Sequence, residues 1–169
     1  MSSARAVLVP NREAPVIRPA VPTDAPTIAA LIRELAEYEH LEHEVVLDEG
    51  KLQEHLFGAR PYAEVLIAEM EGRAAGFALF FHNYSTFLGR PGIYLEDLFV
   101  RPECRGHGLG KALLVELARL AAERDCGRIE WSVLDWNEPS IAFYRSLGAE
   151  PKDEWILYRL TGEPMRALA

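Results

Sequence analysis

Apolar and polar residues follow helical or alternating patterns in successive stretches of the chain. Residues 16–18 predict a first short strand. Apolar residues then recur every three or four positions as far as about Tyr38, which predicts a helix with Thr23 or Asp24 as its N-terminal cap. A second short helix is predicted to begin after Asp48.

The middle of the chain predicts a strand hairpin and then a central strand. Residues 63–69 and 74–82 have the composition of two strands, and Glu71-Gly72 is a suitable turn between them. Residues 83–92 are predicted to be a loop. They lead into residues 93–100, a run rich in β-branched and aromatic residues that stops before a proline.

The last part of the chain alternates helices and strands. A helix is predicted to run to about Arg124, with Gly127 as its cap, and a strand follows at residues 128–134. Residues 141–147 predict a short helix, and residues 155–160 a strand that closes the sheet. This order predicts an α/β fold with a mixed sheet of about six or seven strands, flanked by about four helices.

Length and composition fit one globular domain. We expect residues 15–169 to form a single domain after a flexible leader at residues 1–14, which lacks a signal-peptide pattern. No run of 18 apolar residues is present, so a cytoplasmic protein without membrane contact is expected. The net charge of -8 argues against a nucleic-acid partner and favours a small cationic one.

Residues 34–54 carry much of this negative charge, with eight acidic residues against the single basic Lys51. One interpretation is a solvated helix face followed by a capped helix. The other is an acidic collar that attracts a cationic amine. Both interpretations could hold.

Neither a disulfide framework nor a metal site is expected. Cys104 and Cys126 are only two cysteines without metal-site spacing, and the five histidines are scattered. Cys104 borders a glycine-rich stretch, where a passive small residue is expected rather than a reactive thiol.

Three glycines alternate with other residues between the central strand and the following helix, at positions 106, 108 and 110. Glycine permits backbone conformations closed to other residues, and the helix N-terminus adds amide donors and a positive dipole end. Arg105 and Lys111 contribute full positive charges. The stretch therefore predicts a phosphate site, with a glycine turn that binds nothing as the alternative.

The glycine spacing excludes two common phosphate loops. A Walker loop would need a glycine and a hydroxyl where Arg105 and Ala112 stand. A dinucleotide fingerprint would need a third glycine where Lys111 stands.

Two carboxylates and a phenol are the candidate chemical groups. Glu96 and Asp97 should face opposite sides of the central strand unless a bulge intervenes, so they should not form a paired dyad. Buried carboxylates are functional or tightly paired, and structural pairing is the stronger alternative for Asp97. Asn137 and Tyr144 are seven residues apart, which two helical turns would align, although a core tyrosine is the other interpretation.

Three stretches together resemble one protein family. They are Tyr-Leu-Glu-Asp-Leu-Phe-Val at 94–100, Arg-Gly-His-Gly-Leu-Gly at 105–110 and Leu-Asp-Trp-Asn-Glu-Pro-Ser-Ile-Ala-Phe-Tyr at 134–144. The second resembles the Arg/Gln-x-x-Gly-x-Gly/Ala signature of the GNAT N-acetyltransferase superfamily. All three look like its diamine (spermidine/spermine) and thialysine acetyltransferase branch, and the similarity covers residues 16–160.

The resemblance implies a GNAT-like fold with a splayed central strand and acetyl-CoA as cosubstrate. It implies that the pantetheine arm pairs with Leu98, Phe99 and Val100. It assigns the phosphates to Arg105, Gly106, His107, Gly108, Leu109, Gly110 and Lys111. Asn137 matches an asparagine that contacts the cosubstrate, Tyr144 a tyrosine near its sulfur, and Glu96 a carboxylate that deprotonates the amine through water.

Elementary chemistry agrees with these assignments. An alkylamine with a pKa of about 10 must lose a proton before it attacks a thioester, and Glu96 is the candidate base. Tyr144 is the candidate proton donor to the departing thiolate, and the Leu98 N–H a candidate oxyanion donor. Asp97 and Glu154 are further candidates for contacting the substrate amine.

The sequence thus predicts an acetyl-CoA-dependent N-acetyltransferase that acts by direct attack of a primary amine on a small cationic metabolite. Ser85-Thr86 is closer to the thialysine-type enzymes than to the polyamine enzymes. The resemblance also implies a homodimer. The alternatives are a protein lysine or N-terminal acetyltransferase and a non-catalytic acyl-CoA sensor, although binding alone would need neither Glu96 nor Tyr144.

Overall fold

A computed structural model describes residues 15–169, so the predicted leader at residues 1–14 lies outside the described residues. The described chain falls into two compact units, one up to Ser132 and the other Val133–Ala169. Among residues 15–169, no helix has both the length and the apolar composition needed to cross a lipid bilayer.

The first unit contains a sheet and three α-helices. Its elements are β1 (Val16–Pro19), α1 (Ala25–Glu39), α2 (Glu49–Phe57), β2 (Glu64–Met70), β3 (Arg73–Ser85), β4 (Arg90–Val100), α3 (Leu109–Glu123) and β5 (Ile129–Trp131). The second unit contains α4 (Glu138–Ser146) and α5 (Gly162–Ala167).

The strands form one sheet in the order β1-β2-β3-β4-β5, antiparallel except for the parallel pair of β4 and β5. The predicted α/β class with a mixed sheet and flanking helices is confirmed. The described residues contain five strands instead of six or seven, and five α-helices instead of four.

Helices pack on the sheet through apolar side chains spaced at helical intervals. Ile28 and Leu31 of α1 and Leu52 of α2 join Phe77 and Phe99 of the sheet in one buried cluster. On α3 the fully buried side chains are Leu109, Leu113 and Leu117. Each such side chain stabilises the fold by about 1.5–3 kcal/mol relative to an exposed position.

The predicted helix starts are close to the observed ones. Asp48 caps α2 by accepting a hydrogen bond from the Lys51 amide at 2.8 Å. Asp24 immediately precedes α1, but its carboxylate accepts from the Val21 amide and from Arg18 instead of capping α1.

The loop predicted at residues 83–92 is wrong, because β3 and β4 extend into it and pair as far as Ser85 with Arg90. Gly92 leaves space for Asn83 inside this hairpin, since a Cβ at Gly92 would lie 2.3 Å from the Asn83 Oδ1 atom and the Asn83 side chain would have to shift. The Pro91 carbonyl accepts a hydrogen bond from the Gly127 amide at 2.8 Å.

Three other boundaries differ from the prediction. Asp125, not Gly127, adopts the left-handed conformation after α3, with φ of 53°. The strand predicted at residues 128–134 is only the three residues of β5. Helix α4 begins at Glu138, three residues before the predicted start.

The strand predicted at residues 155–160 is wrong as well, because these residues are not in a strand. Trp155, Ile156, Leu157 and Tyr158 are between 74% and 89% exposed. A strand requires a hydrogen-bonding partner in addition to β-favouring residues, and the pattern of one segment does not identify its partner.

Candidate functional site

A β-bulge at Glu96 shapes the centre of β4. Leu79 of β3 pairs with Asp97 and Phe80 pairs with Leu95, so Glu96 is an extra residue without a partner. The bulge shifts the alternation of side chains by one residue beyond Leu95, which is the exception that the sequence prediction allowed. Asp97 lies on the sheet face of Leu79, which is the face covered by α1 and α2, whereas Glu96 is exposed.

Asp97 has an environment unusual for a carboxylate. Burial, followed by the negative charges of Glu96 and Glu39, raises its pKa to about 7. Burial also raises the pKa of Glu39, at the end of α1. Within residues 15–169, no hydrogen bond or ion pair to the Asp97 side chain is found, so the expected structural pairing is not seen. Although Glu96 and Asp97 were not expected to form a dyad, their charges interact.

Beyond the bulge, one edge of β4 has no strand neighbour among the described residues. The register with β5 ends at Leu95 and Trp131, and the bulge lies directly after that pair. The Arg101 amide donates to Ala75 of β3 at 2.9 Å. Since amide directions alternate along a strand, the Val100 and Leu98 amides point away from β3 to the open edge, and the Phe99 amide points toward β3.

The glycine stretch continues from this open edge. Gly106 and Gly108 have φ of 78° and 80°, which favours glycine, and nothing lies within 4 Å of a Cβ placed at either one. Gly108 precedes α3, and no side chain caps that helix. The amides of Leu109, Gly110 and Lys111 begin the helix and have no intrahelical acceptor. The stretch therefore fits an anionic group such as a phosphate.

Among the side chains of residues 105–111, one is buried and the charged ones are exposed. Leu109, the first residue of α3, is buried and anchors the end of the glycine stretch in the core. Arg105 and Lys111 are exposed cations. The His107 ring nitrogen Nδ1 lies 3.2 Å from the Cys104 carbonyl oxygen.

The acidic residues of segment 34–54 have different roles. Glu34 pairs with Arg101, and Glu49 pairs with Arg33. Asp48 is the cap of α2, so three of the eight carboxylates serve structure. Glu39 is the one whose charge reaches Asp97. Within residues 15–169, no group of three or more acidic, histidine or cysteine side chains could hold a metal ion.

The other predicted site residues lie in the second compact unit. Asn137 is the N-cap of α4 and accepts a hydrogen bond from the Ser140 amide at 3.3 Å. Tyr144 lies on the same helix, half-buried, with its ring 5.4 Å from that of Phe143. Two helical turns separate Asn137 and Tyr144, as the spacing predicted. Glu154 is exposed.

Two residues near the site were missed by the sequence reasoning. Tyr38 was used only as the approximate end of α1, yet its ring lies under the Arg105 guanidinium. Glu39 was counted only as part of the acidic segment. Helical periodicity placed both at the end of α1, but it could not indicate which strand or loop they would meet.

Comparison with known proteins identifies a common family. The family described as "Acetyltransferase (GNAT) family" matches residues 28–149. A thialysine N-epsilon-acetyltransferase of Bos taurus is 39% identical over 165 residues, covering 91% of this chain and 96% of that protein. An L-ornithine N5-acetyltransferase of Arabidopsis thaliana is 34% identical over 197 residues, covering 90% of this chain and 86% of that protein.

Solved structures have the same fold. An integron cassette protein from the mobile metagenome of V. cholerae superposes with a TM-score of 0.77 at 25% identity, covering 92% of this chain and 97% of that one. An aminoglycoside N-acetyltransferase in complex with CoA superposes with a TM-score of 0.72 at 23% identity, covering 90% of this chain and 99% of that one.

Proposed function

Since the chain belongs to the GNAT acetyltransferase family, we propose that it transfers the acetyl group of acetyl-CoA to a primary amine of a small cationic metabolite. One observation carries the proposal most directly. The pairing of β4 with β5 ends just before the bulge at Glu96, and the open edge beyond it runs into the glycine stretch and the uncapped start of α3. The pantetheine arm of acetyl-CoA can lie along the open edge while its phosphates lie at the glycine stretch and the start of α3.

The cosubstrate is bound by the open edge and the glycine stretch. The open-edge amide of Val100 hydrogen-bonds the pantetheine arm, the Leu98 amide next along this edge faces the acetyl end of that arm, and Phe99 keeps the strand in place through its buried ring. The phosphates accept hydrogen bonds from the amides between Gly106 and Lys111 and from Arg105. Acetyl-CoA supplies an acetyl group activated as a thioester.

Glu96 acts as the base on the substrate amine. Its exposure at the bulge allows contact with water, so it can take the ammonium proton through one water molecule. The freed amine then forms the N–C bond to the acetyl carbon by direct attack. Asp97 lies next to Glu96, and together with Glu154 it contacts the cationic substrate.

Tyr144 donates its phenolic proton to the sulfur as the C–S bond breaks, and the second proton that the attacking nitrogen must lose restores the phenol through solvent. Asn137 contacts the cosubstrate, and its position as the cap of α4 supports that role because the helix fixes its orientation relative to Tyr144. The Leu98 amide stabilises the oxyanion that develops on the acetyl oxygen.

The amine is expected at the end of an amino-acid side chain or of a diamine. The names of the Bos taurus and Arabidopsis thaliana relatives specify the side-chain amine of thialysine and that of L-ornithine. The exposed negative charges near β4 suit a substrate that carries a positive charge in addition to the reacting amine.

The enzyme is also proposed to be a cytoplasmic homodimer whose residues 15–169 form a single acetyltransferase domain. The exposed apolar side chains at residues 155–160 support a self-association surface, because soluble proteins rarely expose so many large apolar groups together.

The test is thiol release from acetyl-CoA with a panel of thialysine, ornithine, lysine, spermidine, putrescine, aminoglycosides and short peptides. One small amine should give turnover that falls at least about tenfold in Glu96→Gln and in Tyr144→Phe, because a positioned proton donor or acceptor contributes about 10²- to 10⁴-fold.

Two conservative variants serve as controls. Glu54→Gln alters an exposed carboxylate of α2, and Tyr62→Phe alters a phenol that is 74% exposed, so both should retain wild-type turnover. Turnover with peptides alone would indicate a protein acetyltransferase. CoA binding without turnover of any amine would indicate a non-catalytic sensor, and the small-amine proposal would be withdrawn.

A further inference from the structure

The guanidinium of Arg105 is fixed at two places in the structure. Its carbon lies 4.4 Å from the centre of the Tyr38 ring and 6.0 Å from that of Phe99. Its Nε atom donates to the Val100 carbonyl oxygen at 3.0 Å. One face and one edge of the planar group are therefore already engaged.

The remaining edge of Arg105 is available to a ligand. Among the described residues, no hydrogen bond or ion pair to its two terminal nitrogens is found, and the residue is exposed. A guanidinium presents its terminal N–H groups as a rigid fork that matches the oxygen spacing of a phosphate. Because the ring contact and the Val100 hydrogen bond hold the rest of the guanidinium, its terminal N–H groups lie at the start of the glycine stretch.

We propose that Tyr38 is a positioning residue for the cosubstrate, holding Arg105 so that its free edge binds the phosphates of CoA. The role rests on the proposed function, because it requires that residues 105–111 bind those phosphates. An arginine side chain loses considerable rotamer freedom when it binds a ligand, and a side chain that is already held loses less. The attraction between the cation and the ring supplies this restraint.

Tyr38 can be changed without releasing α1 from the sheet. Glu34, one helical turn earlier, accepts two hydrogen bonds from Arg101 at 2.8 and 2.7 Å. Ile28 and Leu31 remain in the buried cluster. A Tyr38 variant should therefore fold, so that its effect on binding can be measured.

The experiment measures dissociation constants of CoA and of pantetheine, which lacks the phosphates, by calorimetry or by competition. Tyr38→Leu removes the ring, and Tyr38→Phe keeps it as the matched control. We expect Tyr38→Leu to weaken CoA binding about two- to fivefold, the usual strength of an exposed cation–ring contact, and to leave pantetheine binding unchanged. Tyr38→Phe should bind CoA like the wild type.

Arg105→Gln provides the second arm. It should weaken CoA binding more than Tyr38→Leu does, and adding Tyr38→Leu to it should cause no further loss, because the ring then has no cation to hold. Kinetic measurement should give a raised KM for acetyl-CoA with kcat unchanged in Tyr38→Leu.

The outcomes separate this role from the proposed function. Unchanged CoA affinity in Tyr38→Leu overturns the proposed role of Tyr38 and leaves the proposed function intact. An equal loss of affinity for CoA and for pantetheine does the same, because it would reflect a general structural effect. Phosphate-dependent loss in a protein that acetylates no amine supports the role of Tyr38 while the transferase proposal fails. A wild-type protein that does not bind CoA overturns both.

Discussion

At the scale of single residues, Asp97 departs furthest from ordinary behaviour. Its ordinary pKa of 3.8 rises to about 7 because it lies on the apolar face of β4 near two other carboxylates. Between these two pH values the folded state holds the proton more tightly than the unfolded chain does. Stability therefore falls as pH rises through this window and stays reduced above it.

Replacing Asp97 with asparagine removes the ionisation but keeps the shape of the side chain. We compare the free energy of unfolding of Asp97→Asn with that of the wild type at pH 4.5 and at pH 8. The difference, variant minus wild type, should increase by about 1–3 kcal/mol from the lower pH to the higher one. Urea unfolding at both pH values measures this increase. The exposed control Glu54→Gln should show an increase close to zero, and an increase of zero in Asp97→Asn would contradict the assigned burial.

The sequence could identify these two carboxylates but not their orientation. The strand and the motif drew attention to Glu96 and Asp97 because charges are rare in so apolar a run. Which face each would occupy depended on the bulge opposite Leu79 and Phe80, and a bulge is a property of two paired strands. Alternation within one strand could not reveal it.

At the scale of elements, an ion pair with good geometry adds to the apolar packing between α1 and β4. Arg101 donates twice to Glu34 and once, at 2.7 Å, to the Ala74 carbonyl oxygen. The two hydrogen bonds to Glu34 raise the pKa of the Arg101 guanidinium. Because β4 leads directly into the glycine stretch, this ion pair helps to fix the helix that carries Tyr38 relative to the phosphate-binding residues.

Neutralising Glu34 should weaken this connection. We expect Glu34→Gln to lower the free energy of unfolding by about 1 kcal/mol, since a partly exposed charged pair is worth less than a buried one. Chemical denaturation at neutral pH measures the change. Glu37→Gln, an exposed position on the same helix, should change stability by less than about 0.3 kcal/mol, and an equal effect of both variants would argue against the ion pair.

Gly92 tests the packing of the extended β3–β4 hairpin. We expect Gly92→Ala to lower the free energy of unfolding by about 1–3 kcal/mol, because its new Cβ would overlap the Asn83 side chain. Asn83→Ala removes that overlap together with the hydrogen bond from Asn83 to Glu130. The double variant should therefore be more stable than the sum of the single effects predicts, and simple additivity would show that the overlap is absent.

Periodicity predicted the elements whose partners are local. It gave α1 and α3 within a few residues, while the cap at Asp48 gave the start of α2 and the turn at Glu71-Gly72 gave the hairpin of β2 and β3. It failed at residues 83–92, where glycine and proline suggested a loop although Gly92 leaves space for Asn83 inside the hairpin. It also failed at residues 155–160, since strand formation depends on a distant partner.

At the scale of the whole molecule, the acidic residues of segment 34–54, interpreted either as a solvated, capped helix or as an acidic collar, are partly engaged in ion pairs and a cap. Ion pairs and a helix cap occupy Glu34, Asp48 and Glu49. The charge of Glu39 instead acts on Asp97, close to the proposed base. The composition predicts a cationic partner, and among the acidic residues of this segment Glu39 is the one whose charge acts beside the proposed base.

The apolar residues 155–160 lead to a prediction about assembly. We expect the wild-type protein to have the mass of a dimer by sedimentation at micromolar concentration. Trp155→Ser combined with Tyr158→Ser should shift it toward the monomer. Both aromatic side chains are at least 74% exposed, and replacing them removes apolar contact area from the proposed dimer interface.

A matched pair of exposed aromatic residues separates this surface from general hydrophobicity. Tyr84 and Phe87 at the tip of the β3–β4 hairpin are 62% and 94% exposed, so Tyr84→Ser with Phe87→Ser removes a comparable apolar area elsewhere. This control should leave the dimer mass unchanged. If both double variants dissociate equally, association is a nonspecific effect of exposed aromatic side chains. A monomeric wild type would overturn the proposed homodimer and would leave the exposed aromatic residues at 155–160 without a function.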